Sequence, residues 1–262
     1  MTKEELIIVK IGGNVIDNPI ALDHFLADFS KIKKKKILVH GGGKIATDIA
    51  AKLGLQALMV EGRRVTDKAM LDVVTMVYGG LINKNIVAKL QALGDDAIGL
   101  SGADGNSILC TKRPVKEVDY GFVGDVKDVN DKFLDHLLSG DLVPVTAPLS
   151  HDGNGNMLNI NADTVATTLA KAMAKSYKVS LLYCFELKGV LADFEDKNSV
   201  ISEMDYASFQ DLKTNGVISK GMIPKMDNSF DGILNGVEKV VICHSEDMLK
   251  VAEGASLGTK LA

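Results

Sequence analysis

Two rhythms of apolar and polar positions recur along the chain. Short, nearly continuous aliphatic or β-branched runs lead into glycine-rich turns, and these lead into stretches with apolar residues at helical spacing. The first run, Leu6–Lys10 (LIIVK), meets Gly12 and Gly13. Beyond it, Ile20, Phe25, Leu26 and Phe29 mark a helix. The second run, Lys36–His40 (KILVH), is broken by Gly41, Gly42 and Gly43 before a helix that reaches about Leu53. A long helical stretch follows from Asp67 to about Leu93, and strands are expected at 97–100, 107–111 and 142–148. After a turn-rich stretch at 151–156 come the run MLNIN, a helix from Asp163 to about Lys175, and the strand VSLLYCF from Lys178. Helices at 205–213 and 224–234 and a strand at 240–243 complete the pattern, which is that of βαβ units around a mostly parallel sheet. No Pro- or Ser-rich linker interrupts it, so two lobes sharing one sheet are expected, with a boundary near Lys175.

Composition narrows the class. Aromatic residues make up 5% of the 262 and tryptophan is absent, so the core must be aliphatic. A net charge of −4 argues against a nucleic-acid partner, which calls for a basic surface. Lys33–Lys36 reads as a solvated lead-in to a strand. Runs such as LIIV fall far short of the ~20 apolar residues of a membrane span. With no leader-like opening, a cytoplasmic location is expected. Cys110, Cys184 and Cys243 are widely separated and form no CxxC pair, so neither a disulfide framework nor a zinc knuckle is indicated.

The candidate chemistry sits where strands end. Gly12–Gly13 and Gly41–Gly43 either are tight turns or let backbone N–H groups approach an anion. No GxGxxG follows the first strand and no GxxxxGK[ST] occurs, so neither a dinucleotide fold nor a P-loop is supported. Lys10, ending an apolar strand, either snorkels to solvent or meets an anionic partner in the crevice. Asn159, Asn161 and Asp163 crowd a strand-to-helix junction where Asp163 is suited to cap the helix. Arg64 is a planar donor suited to a carboxylate or phosphate. Lys225, just before a helix, reads as an exposed residue without further context.

Taken together, IVKIGGN, HGGGK, GRRVTD, NINAD and KGMIPKM, in this order, resemble the acetylglutamate kinases within the amino acid kinase family, over essentially the whole chain. The resemblance implies an α/β fold, a three-layer αβα sandwich with a central, mostly parallel sheet of about eight strands. It implies that residues 1–175 form the acyl-glutamate-binding and dimerisation lobe and residues 176–262 the ATP-binding lobe. The implied reaction moves the γ-phosphoryl of ATP onto the side-chain carboxylate of N-acetyl-L-glutamate, a step of arginine biosynthesis. Magnesium would arrive with the nucleotide and need no protein cage.

Lys10 and Lys225 are then the pair that stabilises the transferring phosphoryl, and Asp163 holds them in place. Gly42, Gly43, Arg64, Asn159 and Asn161 fall on the acyl-glutamate side. Gly12 and Gly13 fall on the nucleotide side with Glu186, Leu187, Lys188, Gly189, Val190, Leu191, Val217, Ile218 and Ser219. Glu186 stands where the family usually has Asp. Arg63, beside Arg64, leaves open a substrate with one more carboxylate, N-succinyl-L-glutamate. The first strand begins almost at Met1, so a homodimer insensitive to arginine is expected, not the arginine-inhibited hexamer. Carbamate, glutamate and uridylate kinases share the glycines but are disfavoured by NINAD with GRRVTD. A non-catalytic nucleotide or amino-acid sensor is disfavoured by the trio Lys10, Asp163 and Lys225.

Overall fold

The computed structural model describes residues 3–60, 62–193, 195–218 and 222–262. Its centre is a sheet of eight strands: β1 (Glu5–Ile11), β2 (Lys35–His40), β3 (Ala97–Leu100), β4 (Val143–Thr146), β5 (Lys178–Phe185), β6 (Glu203–Met204), β7 (Lys239–His244) and β8 (Thr259–Leu261). In space the order is β6-β8-β7-β5-β1-β2-β4-β3. All neighbours are parallel except β7 and β8, so the sheet is mostly parallel, as the resemblance implied. β5 pairs with β1 along seven residues, and the sheet thus runs unbroken past residue 175.

Because both faces of β1 are covered, its residues are apolar on both sides. Leu6 and Ile8 join the core under α6 (Asp131–Ser139), α7 (Ala162–Met173), α8 (Tyr206–Thr214) and α9 (Ile223–Leu234). Ile7, Val9 and Ile11 join the opposite core, under α2 (Pro19–Lys31), α3 (Gly43–Lys52), α4 (Lys68–Val74), α5 (Asn83–Ala92) and α10 (Met248–Ala252). A short α1 (Gly13–Asp17) follows β1 directly. The result is three layers. Helix α2 shows why the periodicity was informative: Asn18 accepts hydrogen bonds from the Ile20 and Ala21 N–H groups, Pro19 opens the first turn, and Leu22, Phe25, Leu26 and Phe29 form the buried stripe. No helix among the described residues is long and apolar enough to cross a membrane.

Three features depart from the sequence reading. The expected strand near 107–111 lies outside the central sheet. It pairs instead with Gly124–Val129 and Leu149–His151 in a four-stranded sheet that Met157–Asn159 completes. The expected helix of 67–93 runs from Lys68 to Ala92, but between α4 and α5 it widens into a π-helical segment, Thr75–Ile82. The third departure concerns the basic run, which is not simply solvated. Lys34, Lys35 and Lys36 donate to the end carbonyls of three helices: Ala252 of α10, Leu138 of α6, and Phe29 and Ser30 of α2. Cations are favoured at helix carboxyl termini, which explains the run.

Lys36 is 5% exposed and also pairs with Asp95 at 2.8 Å. Burial pulls its ammonium below the ordinary lysine range, while Asp95 opposes that shift. Lys36→Met strands the Asp95 carboxylate and is expected to cost about 3 kcal/mol of stability by urea denaturation. Adding Asp95→Leu should recover most of it; a double variant no more stable than the single one would show that the pair is not the cause.

Candidate active site

The connection from β1 leads to β2 on one side, while β5 lies on the other. Such a reversal opens a crevice beyond the carboxyl ends of the strands. Side chains alternate along β1, so Lys10 shares the face of Leu6 and Ile8, beneath α7. In register with Lys10 on β5 is Tyr183, and Phe185 follows on the same face. The first turn of α7 brings Asp163 over these strand ends. Lys10 Nζ lies 2.7 Å from Asp163 Oδ1, and Lys225 Nζ, from the first turn of α9, lies 2.7 Å from Oδ2.

One carboxylate thus holds two ammonium groups. Burial pushes the Asp163 carboxyl up, but the charges and hydrogen bonds of Lys10 and Lys225 more than offset this and hold it well below the usual carboxylate range. Burial, then repulsion from Lys10, pulls the Lys225 ammonium down, against the attraction of Asp163 and Glu186. Lys225 also lies 5.2 Å from the Tyr183 ring centroid and 5.6 Å from that of Phe185. Beside this trio is a cavity of about 250 Å³ lined by Gly12, Phe185, Glu186, Leu187 and Met222 as well as the two lysines.

The loop after β2 borders the crevice on the opposite side. Gly42 has φ +138°, and a Cβ there would stand 2.1 Å from Ile82 Cδ1. Gly43 opens α3, whose first N–H groups have no partner within the helix. Arg64 is buried on the short strand Arg63–Arg64, which pairs with Met59–Val60. Its Nη2 donates to the Gly43 carbonyl and to Thr47 Oγ1, each at 2.8 Å. Asn159 Nδ2 donates to Thr66 Oγ1 at 3.0 Å.

The sequence pattern of the amino acid kinase family matches residues 5–244. The chain belongs to the amino acid kinase family. It is 60% identical to the acetylglutamate kinase of Cytophaga hutchinsonii over 98% of both chains. With that of Bacteroides fragilis strain ATCC 25285 it shares 56% identity over 92% of both chains. A solved carbamate kinase from Giardia lamblia, bound to AMP-PNP, superposes with a TM-score of 0.68 over 99% of this chain and 98% of that one. At 12% identity that likeness is one of fold. The chain is therefore an enzyme, a kinase of this family.

Against the family's motifs, the residues singled out in the sequence fall into three groups. Lys10, Asp163 and Lys225 meet; Gly43 and Arg64 meet, while Gly42 packs against Ile82 and Tyr78; Gly12, Glu186 and Leu187 line the cavity. Gly13 starts α1. Lys225 lies within α9, not ahead of it. The helix cap is Asn161, whose Oδ1 accepts from the Asp163 and Thr164 N–H groups, and this frees Asp163 for the lysines. Gly12 spends its N–H on the Cys184 carbonyl at 2.9 Å, so in this amino acid kinase it serves close strand approach and offers no N–H donor.

Val190, Leu191 and Ile218 are buried in packing, Val217 is exposed, and Lys188 reaches outward to Asn198. Gly189 packs where a Cβ would meet Thr259 Oγ1 at 2.6 Å. Ser219 lies outside the described residues, as do Lys220 and Gly221 of the last motif. Tyr183, Phe185 and Met222 were not anticipated. The alternation of VSLLYCF carried the signal for the first two, since it puts them on the face of Leu181. Gly42→Ala must force a side chain into positive φ and against Ile82. It is expected to lose about 2 kcal/mol in urea unfolding; an unchanged midpoint would refute the close approach.

Proposed function

We propose that the chain transfers the γ-phosphoryl of ATP to the side-chain carboxylate of N-acetyl-L-glutamate, giving an acyl phosphate and ADP. The observation that carries this reading is the Lys10–Asp163–Lys225 trio, set between the glycine loop and the cavity. A carboxylate is already a deprotonated nucleophile, so no general base is needed. The difficulty is that two anions must meet in line while charge spreads over the transferring phosphoryl. Two ammonium groups, pinned to one carboxylate, answer that difficulty without reorganising during the reaction. The N–H groups of Gly42 and Gly43 serve the acceptor side, with Arg64 clamping the α-carboxylate and Asn159 bonding the acylamino group nearby. Arg64 spends its Nη2 donors on Gly43 and Thr47 and an Nη1 donor on Met70 Sδ, and the rest of its five N–H groups are assigned to substrate.

The cavity beside Lys225 is assigned to the nucleotide, so that residues 176–262 supply most of the ATP side and 1–175 most of the acceptor side. Among the described residues no group of three His, Cys, Asp or Glu side chains is gathered to hold a metal. Magnesium is assigned to the phosphates it arrives with; Glu186 is a carboxylate in the cavity wall. We further propose a homodimer, which would cover the exposed Leu58 and Met59 of the hairpin and Met76 and Leu81 of the π segment. A monomer by light scattering would remove that assignment.

The test is an assay with Mg-ATP, hydroxylamine to trap acyl phosphate as hydroxamate, and N-acetyl-L-glutamate, N-succinyl-L-glutamate or glutamate as acceptor. Hydroxamate formed preferentially from the acetyl compound supports the proposal. Arg63, which raised the succinyl alternative, is exposed at the hairpin; preference for the succinyl compound would return it to the acyl pocket. No product with any acceptor would leave a nucleotide or amino-acid sensor as the better account.

A further inference from the structure

We infer that His40, gripped by Asn83, is a positioning residue that sets the direction of the Gly42 N–H for phosphoryl transfer. The inference rests on the assignment of Gly42 and Gly43 to the acceptor side. His40 ends β2 on the face opposite Lys10 and is fully buried. Its Nδ1 lies 2.8 Å from the Gly41 carbonyl and its Nε2 lies 3.1 Å from Asn83 Nδ2.

The hydrogen-bond partners fix the protons. Asn83 Nδ2 donates to the Val145 carbonyl at 2.9 Å, and Asn83 Oδ1 accepts from Lys84 Nζ at 3.3 Å, so the amide cannot be reversed. Its second N–H therefore points at His40 Nε2, which must accept. The proton of a neutral imidazole then sits on Nδ1 and is donated to Gly41. Burial agrees with this, lowering the imidazole to about 4.

A trans peptide is planar, with its C=O and N–H directed oppositely. Holding the Gly41 carbonyl inward on His40 consequently turns the Gly42 N–H outward, towards the crevice. That N–H makes no hydrogen bond with another described residue. Asn83 is itself placed by the π segment. Its backbone N–H reaches back to the Tyr78 carbonyl five residues earlier, and Tyr78 and Ile82 from the same segment press on Gly42. On β3, Gly99 is required because the side-chain oxygen Asn83 Oδ1 would lie 1.9 Å from a Cβ there. The amide bridges β3, β4 and β2 at the strand ends and passes their alignment to the loop.

Two swaps separate positioning from packing. In His40→Asn the amide nitrogen takes the place of Nδ1 and can still donate to Gly41. In His40→Gln the amide sits one bond further out, where it contacts Asn83 but not Gly41. His40→Asn should keep kcat within about fivefold of wild type, whereas His40→Gln should lose about 100-fold with KM for ATP nearly unchanged, the size of effect seen when one oxyanion donor is misplaced. His40→Leu should match His40→Gln if it folds; thermal unfolding and Mg-ATP binding of each variant provide the check. Equal kcat in His40→Asn and His40→Gln, whether both high or both low, would overturn the positioning role. Wild type that forms no hydroxamate would instead overturn the functional assignment beneath it.

Discussion

Asp163→Asn is expected to lower kcat on the order of 10³-fold, the scale of removing one partner from a buried, hydrogen-bonded charge pair. The change is isosteric, but it puts an amide N–H₂ where a carboxylate oxygen was. One of the two lysines must then face a donor at the 2.7 Å distance now occupied by an acceptor. The ammonium groups repel each other with nothing between them, and at least one leaves the phosphoryl position. A second readout comes from pH. The Lys225 ammonium already titrates below the ordinary lysine range, so activity should fall on the alkaline side earlier than an ordinary lysine would cause. Asp163 is one of the two charges holding that ammonium protonated. Without it, Lys225 loses its proton at lower pH still, and the alkaline limb of the kcat profile should move downwards. An Asp163→Asn enzyme with wild-type kcat and an unmoved alkaline limb would exclude the trio as the phosphoryl clamp.

Replacing Arg64 by alanine should reduce kcat/KM for N-acetyl-L-glutamate about 10³-fold, mostly through KM, as loss of a buried bidentate contact does. KM for ATP should change little, because Arg64 touches the glycine loop and not the cavity that holds Lys225. Some loss of kcat accompanies this, since the Gly43 carbonyl and Thr47 lose the donor that ties the start of α3 to the hairpin. Arg64→Lys keeps the charge but cannot serve loop and substrate together, and should remain about tenfold weak in KM. Steady-state kinetics with each substrate varied in turn decides the matter. Equal rises in both KM values would mean that Arg64 supports the whole crevice and clamps neither substrate.

The parts of this molecule that were legible in its sequence are those where one local rule acts alone. The continuous run of β1 marks a strand covered on both faces, and the period of Leu22, Phe25, Leu26 and Phe29 marks α2. Where two rules compete, the sequence was ambiguous. Asn161 and Asp163 are both capping residues two positions apart, and only the arrival of Lys10 and Lys225 from distant elements decides that Asn161 caps. Lys33–Lys36 looks like solvated charge until three helix ends, contributed by residues more than 200 positions apart, are seen to converge on it. The strand Gly124–Val129 reads GDVKDV, with charges on a half-covered edge, and gives little apolar signal. The π segment, TMVYGGLI, is apolar almost throughout, so no alternation of apolar and polar positions is there to reveal its widening. The candidate site was visible as residues but not as sides: that His40 and Lys10 occupy opposite faces follows only from register.

That β1 lies between β2 and β5 makes the sheet a ruler for the reaction. Two strand spacings, about 10 Å, separate the root of the glycine loop, proposed for the acceptor, from the root of the cavity proposed for the nucleotide. Backbone ladders maintain that gauge; no side chain has to. Drift in the loops can alter affinity while leaving the gauge untouched. Deleting one residue inside β1 is a different matter, because it reverses the phase of the strand and carries the Lys10 ammonium through the sheet to the side of His40. The span between the two proposed substrate sites is thus written in hydrogen-bonded backbone, and the sequence of β1 has only to keep count.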